Sequence, residues 1–136
     1  MAKFDFKGLE DIEKRLLRRE ASTAKAVQEM VKAGADVIAK VQQDTVRTMF
    51  KGKRSFGDLA NSIKKTRVNS QPSRTYADVY PHGKNRRGER NATVGFVQQY
   101  GRSNMAANPW MTEANAKAAD EAQKAMLDAW MRCQNE

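Results

Sequence analysis

Most of the residues able to do chemistry in this 136-residue sequence are cations. Lysine and arginine number 25 against 16 acidic side chains, for a formal net charge of +9. The excess is local. Residues 51–90 hold eleven of the cations and only three acids, Asp58, Asp78 and Glu89. That span contains Lys51, Lys53 and Arg54, then Lys64, Lys65 and Arg67, then Arg74, and finally Lys84, Arg86, Arg87 and Arg90. Such a cluster can neutralise nucleic-acid phosphates, a contact that ignores base sequence and weakens steeply with salt. It can equally face an acidic protein surface, stay solvated, or guard an edge strand against aggregation. No helix–turn–helix spacing occurs, and Tyr76 and Tyr80 flank Asp78 rather than a basic stripe. Base reading and a stacking platform are therefore not expected.

Chemistry of other kinds finds little to work with. The single histidine, His82, sits between Pro81 and Gly83, with no metal-ligand spacing around it. The single cysteine, Cys133, has no internal partner, so no disulfide framework is implied. Phosphate-binding loops, nucleophile elbows and dinucleotide fingerprints are missing. Gly52-Lys-Arg-Ser55 shares letters with a phosphate loop but lacks its first glycine. The pattern argues against an enzyme and against a cofactor. No apolar run approaches the ~18 residues of a membrane span, and no secretory leader is evident, so a protein acting or assembled in a reducing cytoplasm, without a membrane partner, is expected.

The elements that must position these cations read as a single α+β domain over residues 1–136. Leu9, Ile12 and Leu16 recur at helical spacing and predict a short helix over 9–19. Its Lys14–Arg19 cluster is interleaved with acids, which favours a solvated face over a membrane or nucleic-acid patch. Val27, Val31, Ile38, Val41, Thr45 and Met49 predict a long helix over 22–49, capped by Ser22 or Thr23. Gly34 interrupts it and suggests close packing against a neighbour. Strands are predicted over 59–68, 74–80 and 92–97. The last two form a long-tipped hairpin with Lys84, Arg86, Arg87 and Arg90 at its tip. Asn108 then reads as a helix cap and Pro109 as the first helical residue of a C-terminal helix over 109–131. That helix shows an alanine-rich face of Ala114, Ala118, Ala122, Ala125 and Ala129 beside Met111, open either to the long helix or to a neighbouring subunit. The expected architecture is a small antiparallel sheet of about three strands packed against the two longer helices. Tyr100 and Trp110 are expected to anchor the last helix to that sheet.

Three segments in fixed order carry a resemblance. The first is Gly57-Asp-Leu-Ala-Asn-Ser-Ile63, matching a Gly-x-Leu-x-x-Ser-Ile pattern through Gly57, Leu59, Ser62 and Ile63. The second is the aromatic–glycine pair Tyr100–Gly101, and the third is Pro109, Trp110, Met111 and Ala114 opening the last helix. Together they resemble the tail-completion, or head–tail joining, family of long-tailed bacteriophages. Gln98–Gln99 departs from the pattern, where an acid before the aromatic is common. The resemblance implies a structural virion protein assembled in the host cytoplasm. It further implies a homo-oligomeric ring in the neck, a hexamer by the symmetry of tail tubes. The partners would be tail tube or terminator and head connector proteins, with DNA passing through the lumen. The basic hairpin and the alanine-rich helix are the expected subunit faces, and Lys51, Lys53, Arg54, Lys84, Arg86, Arg87 and Arg90 would meet DNA or an acidic neighbour. A small accessory protein that binds nucleic acid without sequence preference is the alternative.

Overall fold

The computed structural model describes residues 6–51, 55–72 and 74–134, with side chains described from residue 11 onward and from residue 57 after the first gap. The chain is α+β, with two long helices, two short ones and a small antiparallel β-element.

Helix α1, Phe6–Met49, runs for 44 residues, about 66 Å at 1.5 Å per residue. The predicted break between a helix over 9–19 and another over 22–49 is not there. Glu20-Ala-Ser-Thr-Ala24 contains neither glycine nor proline, and Ser22 and Thr23 lie exposed within the helix instead of capping it. Helix α2, Ser55–Ser62, follows. The predicted strand over 59–68 is displaced by this helix. Leu59 and Ala60 turn inward with no exposed surface. The Ser62 hydroxyl donates to the Leu59 carbonyl at 2.6 Å, closing the last turn before Ile63 enters the sheet.

The strands are short: β1 Ile63–Lys65, β2 Asn69–Gln71, β3 Arg74–Tyr76 and β4 Val79–Pro81. They pair as β1 with β4 and β2 with β3, all antiparallel. The pairs nest, so they form one hairpin whose two ladders are a residue out of register, Lys65 opposite Val79 but Asn69 opposite Tyr76. The extra residue falls between the ladders, as at a β-bulge. Thr66 spans it, its amide donating to the Asp78 carbonyl at 2.8 Å and its hydroxyl accepting the Asp78 amide at 2.9 Å.

Residues 92–97 form no strand. Helix α3, Asn91–Tyr100, contains them. A short apolar run fits either period, and here the i, i+4, i+8 set Asn91, Gly95 and Gln99 is the buried one. The expected long-tipped hairpin is therefore a loop from β4 into α3. Helix α4, Trp110–Gln134, ends the described chain and lies along α1. Its alanine face, Ala114, Ala118, Ala122 and Ala129, is buried. Gly34 belongs to the same close approach: a Cβ there would stand 2.9 Å from Met126 Cγ. Gln42 Nε2 donates to Asn115 Oδ1 at 2.9 Å across the seam. The alanine face thus faces α1 within the chain, not another subunit. Ala125, assigned to it from sequence, is only half-buried.

Where α1 ends, α2, β1 and the start of α4 meet in one core. Val46, Phe50, Leu59, Ala60, Ile63 and Trp110 form it, with Ala39, Val79, Val94 and Met111 packed around them.

Candidate functional site

Two of the three motif segments, the first and the third, converge on Trp110. Its side chain is fully buried, and its indole N–H donates to the Gly95 carbonyl at 2.9 Å. Gly95 lets the ring come that close. A Cβ on it would lie 3.1 Å from the indole, 3.3 Å from Pro81 and 3.4 Å from Leu59. So Leu59 and Ile63 of the first motif and Trp110 of the third share one core, with α3 laid over it. Met111 is packed at its edge, Ala114 faces α1, and Gly57 and Pro109 are exposed.

Between α3 and α4 the chain must reverse within Gly101–Pro109. Gly101 sits at φ 74°, ψ −173°, and its amide donates back to the Val97 carbonyl. That backbone region is essentially closed to residues with a Cβ. A Cβ there would also stand 2.8 Å from the Ala107 nitrogen and the Met105 oxygen. Arg102 and Met105 exchange backbone hydrogen bonds at 3.0 Å and hold the linker in a tight turn.

Tyr100 does not anchor the last helix. It is 64% exposed and leans on Phe96, one turn back and 62% exposed, with ring centroids 4.7 Å apart. The buried neighbour Gln99 does the anchoring. Its Oε1 accepts the Met111 amide at 2.8 Å and the Thr112 amide at 3.4 Å, while its Nε2 donates to Thr112 Oγ1 at 2.7 Å. These are the first-turn amides that a cap side chain takes. Asn108, the expected cap, donates instead to Gln98 Oε1 at 3.2 Å. A glutamine one residue before an aromatic gives no sequence signal for capping a helix eleven positions later.

The basic loop 82–91 is held by polar groups. Asn85 is buried, and its Oδ1 accepts the amides of Arg87 at 2.9 Å and Glu89 at 3.0 Å. Asn91 Nδ2 donates to the His82 carbonyl at 2.9 Å. His82 stacks on Tyr80, centroids 4.0 Å apart, with Nε2 donating to the Lys64 carbonyl at 3.1 Å. Arg86 is tied to the fold. Its guanidinium makes two 2.9 Å bonds to the Asp58 carboxylate, and its own amide adds a third at 3.1 Å. Those hydrogen bonds hold the Asp58 carboxyl at about 2, below its usual 3.8. Arg86 is raised by the same pairing.

Of the predicted contact residues, Lys51, Lys84, Arg87 and Arg90 are exposed and make no ion pair among the described residues. Arg86 is occupied by Asp58, while Lys53 and Arg54 lie outside the described residues. Lys84 and Arg90 face each other across a single backbone bridge at the loop's base. Beside it, a cleft of about 380 Å³ opens between α3 and the 102–105 turn, with Val94, Val97 and Met105 inside and Arg90 and Arg102 among its lining residues. Among the described residues, no three His, Cys, Asp or Glu side chains gather where they could hold a metal ion. No described helix is long and apolar enough to cross a membrane.

The fold and these contacts define the class: an α+β chain built on a two-helix seam, whose named motif residues mostly serve the joint between α2, α3 and α4. No family model, curated protein or solved structure matches the chain.

Proposed function

We propose that this chain is a structural virion protein of the phage neck. Copies form a ring, a hexamer by the symmetry of tail tubes, that joins or completes the tail at the head connector while DNA passes through the lumen. One observation carries the reading. The first and third of the segments that resemble the family, distant in sequence, meet in one core around Trp110, and the second supplies the Gly101 turn that leads the chain into the last helix. That is how a motif behaves when it fixes a shape that neighbours then read. The test is the mass of the purified chain, alone and mixed with tail tube and connector proteins. A ring or a defined complex is expected. Monomer under both conditions would refute the reading.

A second reading, non-specific nucleic-acid binding, is favoured by Lys84, Arg87 and Arg90, which are exposed and make no ion pair among the described residues. It is tested by replacing all three with Glu while leaving Arg86 to hold the loop. Duplex affinity should fall, and its logarithmic dependence on salt should flatten by about 0.9 for each phosphate no longer neutralised. Equal elution of wild type and variant from a DNA column would reject it.

A further inference from the structure

From β3 into β4 the chain alternates. Thr75, Ala77, Val79 and Pro81 form the side toward α1. Pro81 is buried and Val79 packs on the core. Thr75 Oγ1 lies 3.4 Å from Ser70 Oγ, which accepts a bond from Gln28 of α1 at 3.2 Å. With a period of two, Arg74, Tyr76, Asp78, Tyr80 and His82 line the outer face. In sequence, Tyr76 and Tyr80 flank an acid and make no platform. In the fold, His82 supplies the missing ring. It lies on Tyr80 with centroids 4.0 Å apart and planes 19° from parallel. Its Nε2 donates to the carbonyl of Lys64, the residue opposite Tyr80 in the ladder, so backbone holds the pair in place. Tyr80 remains 42% exposed. Beyond His82 a shallow groove of about 390 Å³ continues, with Lys84 among its lining residues. At the far end of the stripe the Arg74 guanidinium covers Tyr76.

We propose that this outer face binds single-stranded nucleic acid: an unpaired base stacks on the Tyr80–His82 pair while Lys64 and Lys84 take the phosphates on either side. This rests on the nucleic-acid reading and adds the form of the strand and the place where it sits. Charge permits it when every neighbour is counted. Residues 64–90 hold eight cations against Asp78 and Glu89. Asp36 takes Lys65 and Asp58 takes Arg86, which leaves an excess of +4 (8 − 4). The rings decide between occupants. Every base has a π-face that a flat side chain can cover, but in a duplex those faces are already stacked on neighbouring pairs and phosphates are what a protein meets first. Cations alone would serve either form, whereas cations beside an open ring pair serve the single strand. An acidic peptide would satisfy the cations and leave the rings without a flat partner. A second exposed ring pair, Phe96 and Tyr100, is tilted by 51° and offers no flat surface. Asp78 is the one acid on the stripe, and its charge opposes a phosphate backbone.

The test is fluorescence anisotropy with the full chain, a labelled oligothymidylate of about twelve nucleotides and a duplex of the same length. Wild type should bind the single strand more tightly than the duplex. Tyr80→Ala should weaken single-strand binding about 5- to 150-fold, as the loss of one stacked base requires, and leave duplex binding within about twofold. Tyr80→Leu keeps apolar bulk without a ring and should behave as Tyr80→Ala does. Tyr80→Phe keeps the ring and should match wild type, which separates stacking from a change in fold. Lys64→Gln with Lys84→Gln should flatten the logarithmic salt dependence by about 0.7 for each phosphate no longer neutralised, while Tyr80→Ala leaves that slope alone. Asp78→Asn should tighten single-strand binding. Phe96→Ser with Tyr100→Ser, which removes two exposed rings elsewhere, should bind as wild type. The inference is overturned if Tyr80→Ala and Tyr80→Leu hold the single strand as wild type does, if Tyr80→Phe loses it too, or if the duplex is bound as tightly as the single strand. Duplex binding that obeys the Lys84, Arg87 and Arg90 test would then leave the nucleic-acid reading standing without it. Binding to neither form would end both.

Discussion

Replacing Gln99 with alanine isolates the contact that joins α3 to α4. The substitution removes the acceptor for the Met111 and Thr112 amides and the donor to Thr112 Oγ1. Loss of a cap side chain costs about 0.5–2 kcal/mol. Gln99 is only 7% exposed, so part of the freed hydrogen-bonding capacity stays out of reach of water, and its buried methylene adds about 0.8 kcal/mol. A total loss of about 2–3 kcal/mol is expected, or roughly 8–12 °C in melting temperature for a chain of this size. Urea titration followed by circular dichroism and by tryptophan fluorescence measures it. The companion variant Gln99→Glu keeps the acceptor and places a negative charge at a helix N-terminus, a favourable change of about 0.3–1 kcal/mol that offsets the missing donor. It should stay within about 1 kcal/mol of wild type at neutral pH. The reasoning fails if Gln99→Ala changes stability by less than about 0.5 kcal/mol, or if Gln99→Glu is as damaging as alanine.

Three further outcomes follow from the same geometry. Gly101→Ala should cost more than about 2 kcal/mol, because a Cβ meets backbone atoms in a φ, ψ region reserved for glycine; wild-type stability would rule that out. Gly34→Ala and Gly95→Ala should differ in unfolding midpoint. Met126 must turn its Cγ and Sδ aside to admit a Cβ, so Gly34→Ala should come out near neutral, its helix-propensity gain of up to about 1 kcal/mol offset by that repacking. The ring against Gly95 is the fully buried Trp110, so Gly95→Ala should be destabilising by about 1–2 kcal/mol, and equal midpoints would contradict the packing. Acid should loosen loop 82–91. Asp58 titrates near 2 when folded against 3.8 ordinarily, so its contribution is complete above about pH 4 and lost as pH falls through 2. Amide exchange in the loop should rise across that window in wild type, and Asp58→Asn should abolish the dependence.

What the sequence makes legible is decided by the length of the periodic signal. Twenty-odd residues of valine and alanine at helical spacing locate the body of α1, and Asn108–Pro109 locates the start of α4 to within a residue or two. Gly34, an interruption in that pattern, does mark a site of close packing. The errors fall where the signal is short. Ala92–Val97 has the β-branched content of a strand. Burial of Gly95 under the indole makes it a helix, and that depends on Trp110 fifteen positions away. Leu59 reads as the start of a strand because α2, which holds it, is a single eight-residue helix. Gln99, which caps α4, is visible only as a departure from an acidic pattern. An acid and a glutamine at that position share the carbonyl-type oxygen that the helix amides need.

The same distinction sorts the cations. Composition alone makes residues 51–90 one basic field, yet two of its members belong to the fold. Arg86 holds its loop to α2 through Asp58, and Lys65 ties β1 to α1 through Asp36. Tyr76 lies under a third, Arg74, at 4.1 Å. Lys51, Lys64, Arg67, Lys84, Arg87 and Arg90 remain, without an ion pair among the described residues, around a body whose loop geometry is set by Asn85 and Asn91 instead. Lys84, Arg87 and Arg90 are like charges on one loop, and their side chains add nothing to the hydrogen bonds that shape it. A surface that carries such repulsion while neutral Asn85 and Asn91 hold its loop is suited to an anionic counterpart. DNA in a lumen and an acidic neighbouring ring both have that chemistry, and salt separates them. Phosphate contact releases condensed counterions with every charge neutralised, whereas an acidic protein face responds only through ordinary screening.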